Sequence, residues 1–169
     1  MITYVAFLRG INVGGNNMLP MKDLKSLCEK LSLEDVRTYI QSGNVIFKSL
    51  LTEKELRLKL ESALDKKIGK KIIVMIRTKS EIISMLAKNP FPNALPSHVG
   101  VYMMHDKVSK NLIDPSIDIG PEKVRLGKRE LYIYYPNGMG HSKLKLPSAV
   151  GIGSVRNINT IGKIVNLME

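Results

Sequence analysis

The chain has no tryptophan, one cysteine, three histidines and only 5% aromatic residues. A single thiol excludes an intramolecular disulfide and a cysteine-based zinc site. That thiol, Cys28, repeats with Leu24, Leu27 and Leu31 at helical spacing, which assigns it to core packing rather than to nucleophilic chemistry. His98 and His105 stand on one expected strand at an odd offset, so they face opposite ways and no metal site is expected. No apolar run approaches the roughly 20 residues of a membrane helix. The opening stretch 1–9 has no basic leader and reads as a strand, so no membrane partner and a cytoplasmic location are the expectations. Acidic residues are also scarce, 15 against 26 Lys and Arg, for a net charge of +11. The excess is +7 over residues 1–79 (15 basic, 8 acidic) and +4 over 80–169 (11 and 7), so neither half is a basic tail. Such a surface attracts nucleic acid or phosphorylated ligands at long range, and it also serves solubility.

What is present is a regular alternation of strands and helices over 169 residues. Residues 2–9 are almost continuously apolar, as in a central strand covered on both faces. A polar loop leads to Pro20 and a helix, then to strands at 36–41 and 44–48 joined by Ser42-Gly43. Thr52 and Glu55 form a capping box for a second helix, and the β-branched run 72–76 closes the unit. A second capping box, Thr78 to Glu81, opens a linking helix through Ala87. The pattern then restarts: a strand at 98–105, an irregular stretch at 107–121, strands at 123–127 and 131–135, a helical segment near 142–149 and a strand at 154–158. Asn159 is expected to cap the last helix. The order defines an α+β protein of two tandem ferredoxin-like (βαββαβ) repeats, antiparallel sheets with helices on one face. The expected division is 1–78, a link at 79–97, and a less regular second repeat at 98–169.

The stretches Tyr4–Asn17 and Glu34–Phe47, with Ser142-Lys143-Leu144 and Arg156–Thr160, carry a resemblance that spans essentially the whole chain. They resemble the bacterial family catalogued as domain of unknown function 1697. Ile158 stands where that family usually has tryptophan, so no role for an indole carries over. The resemblance implies a tandem ferredoxin-like fold and brings no activity, cofactor or catalytic residue.

Topology places three connections of the first repeat at one end: the 9–18 loop, the 41–44 turn and the 66–71 junction. Arg9, Asn12, Gly14, Gly15, Asn16, Asn17, Ser42 and Asn44 gather there with Lys66, Lys67, Lys70 and Lys71. Glycines let backbone N–H groups converge on an anion, the first helix adds its positive end, and the lysines add charge. Turn-making is the competing role for the same glycines and asparagines. In the second repeat, the loop carrying Ser142 and Lys143 and the junction Arg156, Asn157, Asn159 and Thr160 lie on strands two spacings apart, about 10 Å. Helix capping competes with ligand binding there. Tyr102, Tyr132 and Tyr134 fall on the central strands, where modules of this topology stack bases, unless the sheet face is packed.

These features favour a binding protein for nucleic acid or a phosphorylated small molecule over an enzyme, with no cofactor. An alternative is a small enzyme on a phosphate- or carboxylate-bearing substrate, with Arg9, Lys143 and Arg156 holding the anion and His141 transferring a proton. A third reading is an interaction module pairing through its sheet faces.

Overall fold

The computed structural model describes residues 1–110 and 120–169. In chain order its elements are β1 (Ile2–Leu8), α1 (Met21–Lys30), β2 (Glu34–Tyr39), β3 (Asn44–Ser49), α2 (Glu53–Ile68), β4 (Val74–Thr78), α3 (Lys79–Ala87), β5 (Val99–Met103), β6 (Lys123–Leu126), β7 (Glu130–Tyr134), β8 (Ser154–Asn157) and α4 (Ile158–Leu167). The strands form two four-stranded antiparallel sheets, ordered β2-β3-β1-β4 and β6-β7-β5-β8. The protein is therefore a mixed α+β fold. The chain divides into two compact units, Met1–Ile82 with Ile164–Glu169, and Ile83–Lys163. The division falls inside α3, and the last six residues count with the first unit.

In the first unit β1 is central, bonded to β3 on one side and β4 on the other. That position explains its unbroken apolar run, since both of its faces are covered. Tyr4, Ala6 and Leu8 join Val45, Phe47, Val74 and Ile76 on one face, packed with Leu24 and Cys28 of α1 and Leu56, Leu60 and Leu64 of α2. The alternate residues Val5, Phe7, Ile46, Met75 and Arg77 are buried too. Thr52 starts α2 through a reciprocal box: Glu55 N–H donates to Thr52 Oγ1 at 3.3 Å, and Thr52 N–H donates to Glu55 Oε2 at 2.8 Å. Gly69 ends it in a left-handed conformation, φ 77°. From the C-terminal segment of this unit, Leu167 offers its carbonyl to Arg37 Nη1 at 3.3 Å.

The second unit keeps the sheet order and departs from the expected helices. The segment expected to be helical near 142–149 has no regular structure over 142–147 and lies between two single 3-10 turns, Met139–His141 and Ser148–Val150. Pro147 precedes the second turn and cannot donate to a longer helix. Among the described residues, the face bearing Val124, Leu131 and Ile133 packs with Val108, Met139, Leu144, Leu146 and Val150, which come from loops and 3-10 turns. The irregular stretch expected at 107–121 lies in large part outside the described residues. The cap of α4 is Asn157, whose Oδ1 accepts Thr160 N–H at 2.8 Å, and not Asn159. The helix starts earlier than its apolar pattern implied, because Ile158 already belongs to it.

Candidate functional site

The three connections of the first unit meet at one sheet end. Leu8 N–H donates to Gly43 O at 2.8 Å, and Arg9 N–H donates to Ile73 O at 2.9 Å, beyond the lysine junction. Asn12 ties the long loop to the turn: its Nδ2 donates to Gln41 O at 2.8 Å and Leu19 O at 2.9 Å, and its Oδ1 accepts Leu19 N–H at 2.7 Å. The tip Val13-Gly14-Gly15-Asn16 is a tight turn, with φ 57° and 76° at its glycines and Asn16 N–H bonded to Val13 O at 2.9 Å. Two consecutive positive φ values are the reason for two glycines. Asn17 Nδ2 donates to Gly10 O, and buried Asn44 donates to Tyr39 O and Ser42 Oγ. The amides of Asn12, Asn17 and Asn44 thus shape the loops. Their donors are committed to the fold rather than presented to a ligand. Arg9, Lys66, Lys67, Lys70 and Lys71 are exposed around this end.

Two of those lysines line a feature the sequence did not single out. An open groove of about 690 Å³ runs between α1 and α2, with Lys30, Lys59, Lys66 and Lys67 on its rim and Leu27 and Ala63 among its apolar walls. Asp23 is the one acidic residue along it and sits in the first turn of α1. That carboxylate opposes an anion at the helix start, so the cationic stretch is the one along α2.

In the second unit β5 lies between β7 and β8, leaving the two polar junctions on strands two spacings apart. Arg156 is buried within β8, its Nη1 donating to Ser154 Oγ and Val155 O, each at 2.9 Å. Burial pulls its pKa down to about 10. An anion clamp built on Arg156 is corrected accordingly, because the guanidinium is turned to the strand.

The tyrosine platform is also corrected. Tyr132 is 2% exposed and donates its hydroxyl to Met85 O of α3 at 2.8 Å. Tyr134 meets Phe91 in a tilted pair at 5.7 Å, and Arg125 lies over the other ring at 5.9 Å. The Tyr102 hydroxyl is held between Gly151 O at 2.9 Å and Gly153 N–H at 2.7 Å. Strand alternation puts Tyr132 and Tyr134 opposite Leu131 and Ile133, whereas Tyr102 pairs with Leu131 and packs on that other face. The three rings therefore share no platform, and alternation carried no information on what covers either face.

Ser142, expected to cap a helix or meet a ligand, donates its Oγ to Glu122 Oε1 at 2.8 Å. Glu122 was missed by sequence reading, since it lies 20 positions away and in no motif. It lines a cavity of about 450 Å³ with Asn137, His141, Lys143 and Lys145. Among the described residues no three His, Cys, Asp or Glu side chains cluster to hold a metal. No helix of the described chain is long and apolar enough to cross a membrane.

Fold and sites together define a basic α+β protein with two antiparallel sheets, polar loop ends and two lysine-lined concavities. The chain belongs to the family described as "Protein of unknown function (DUF1697)", which matches residues 1–132. The later motifs at 142–144 and 156–160 lie beyond that match. In structure the chain is similar to the conserved bacterial protein SP0830 from Streptococcus pneumoniae, with a TM-score of 0.79 and 22% identity over 99% of each chain. At that identity the likeness speaks for the fold. No curated protein matches the chain.

Proposed function

We propose that this is a cytoplasmic bacterial binding protein for phosphate-bearing ligands, built from two ferredoxin-like units. The observation that carries the reading is the groove between α1 and α2, where four lysines face one aspartate. Lysine is a compact, strongly hydrated cation on a flexible stem, suited to phosphate as a point charge. The apolar walls suit the less polar part of a phosphate ester. The exposed lysines at 70 and 71 extend the positive surface from the groove toward the loop end. With the tyrosines enclosed or tied down, base stacking on the second sheet does not contribute, and the expected recognition is of phosphate rather than of sequence.

Fluorescence anisotropy with labelled RNA and DNA over about 50 to 300 mM salt tests this, with nucleoside monophosphates as competitors. Nucleic acid in the groove gives affinity falling steeply with salt. The triple change of Lys59, Lys66 and Lys67 to Ala should then flatten the log–log slope by roughly 0.7–0.9 per lost phosphate contact. A small phosphorylated ligand gives shallow salt dependence and competition by the monophosphate. Absence of binding by either at the lowest salt sinks the proposal.

A further inference from the structure

Opposite charges usually neutralise each other when they share a concavity, and in the second unit they do not. Glu122 is only 8% exposed, and one of its oxygens accepts Ser142 Oγ at 2.8 Å. Ser142 Oγ in turn accepts Leu144 N–H at 3.1 Å, so the carboxylate is held in orientation by a hydroxyl that is itself anchored to the backbone. Among the described residues Glu122 Oε2 accepts no hydrogen bond, and neither Lys143 nor Lys145 makes an ion pair. All three side chains line the same cavity of about 450 Å³, along with Asn137, His141 and Leu144. Its size lies within the usual range of small-ligand sites.

We propose that this cavity binds a small zwitterion of the α-amino-acid type, its ammonium on Glu122 and its carboxylate on Lys143 and Lys145. A plain anion entering the cavity would meet the Glu122 carboxylate, and a plain cation would meet the two lysines. Only a molecule bearing both signs satisfies both groups at once. Asn137 offers a neutral donor and acceptor beside them, and Leu144 supplies an apolar wall for a side chain. The assignment does not rest on the phosphate reading, which concerns the other unit.

Titration calorimetry of the full chain with the free amino acids, and with their N-acetyl and carboxamide derivatives, decides the matter. The expected result is binding of at least one free amino acid, weakened about tenfold or more when either charged group is blocked, the scale of one charge-assisted hydrogen bond. Glu122→Gln should weaken the amino acid by a similar factor, and Lys88→Ala, at an exposed lysine that lines neither concavity, should leave it unchanged. The derivative series is read on the unaltered protein, so it stands even where Glu122→Gln fails to fold. No binding by any free amino acid, or equal binding of a parent and its N-acetyl derivative, overturns the assignment.

Discussion

Gly43 and Gly15 both hold a positive φ, 83° and 76°, yet their surroundings differ. A Cβ on Gly43 would lie 3.0 Å from Leu8 Cβ and 3.3 Å from Ile11 Cβ, whereas one on Gly15 would meet nothing within 4 Å. Gly43→Ala therefore adds crowding to backbone strain and should destabilise by about 2–4 kcal/mol. Gly15→Ala carries the strain alone, about 1 kcal/mol. Urea unfolding of the two variants checks the difference, and equal losses would refute the packing argument. Turn propensity marks both glycines in the sequence, but only the fold separates them. The same holds for the asparagines. Their residue type is visible, while the partners that commit the Asn12 amide, Leu19 O and Gln41 O, become neighbours only after the chain has folded.

Among elements, caps were legible and coverings were not. The boxes at Thr52–Glu55 and Thr78–Glu81 are three-residue patterns, and each forms as a local hydrogen-bonded pair. The cap of α4 was placed two residues late because Asn157 and Asn159 are both acceptable capping residues. Asn157→Ala should cost about 1 kcal/mol and Asn159→Ala less than about 0.5 kcal/mol, measured by thermal unfolding. The reverse order would show that the cap is misassigned. In the second unit, Pro147 warned of a distorted helix. That irregular chain between two 3-10 turns would replace it depended on Leu144, Leu146 and Val150 finding the sheet face without helical spacing.

For the whole molecule, the pH profile is set by where its acids lie. Burial pushes the Cys28 thiol up to about 12, with Glu29 adding to it. Burial and then the Glu122 carboxylate push Tyr135 up to about 12, and burial with Glu130 raises Tyr132 as well. These groups are neutral when folded and ionise more readily when unfolded. Their stabilisation is complete below the unfolded values, about 8.5 for Cys and 10 for Tyr, and is lost as pH climbs toward about 12. The melting temperature should fall progressively above about pH 9, and Tyr135→Phe should make the decline shallower above about pH 10. An alkaline limb unchanged by that substitution would count against the buried phenol. At the acid end, the Lys48 hydrogen bond lowers Asp35, and bonds from the Thr52 side chain and backbone lower Glu55. Both carboxylates are solvent-exposed, so their stabilisation, present above the usual carboxylate range and lost as pH falls, is small.

The sequence by itself determined the strand and helix order of the first unit, the two capping boxes, the core role of Cys28 and the basic balance. Each of these is written in near neighbours, in periodicity or in composition, which do not depend on the rest of the fold. Only the tertiary structure decided that Tyr132 is enclosed, that Arg156 is turned into its strand and that the amides of Asn12, Asn17 and Asn44 are spent on their own loops. It also brought Glu122 to Ser142 across 20 residues and aligned four lysines from two helices along one groove. Burial and pairing are relations between distant segments, and they exist only once the chain has closed on itself.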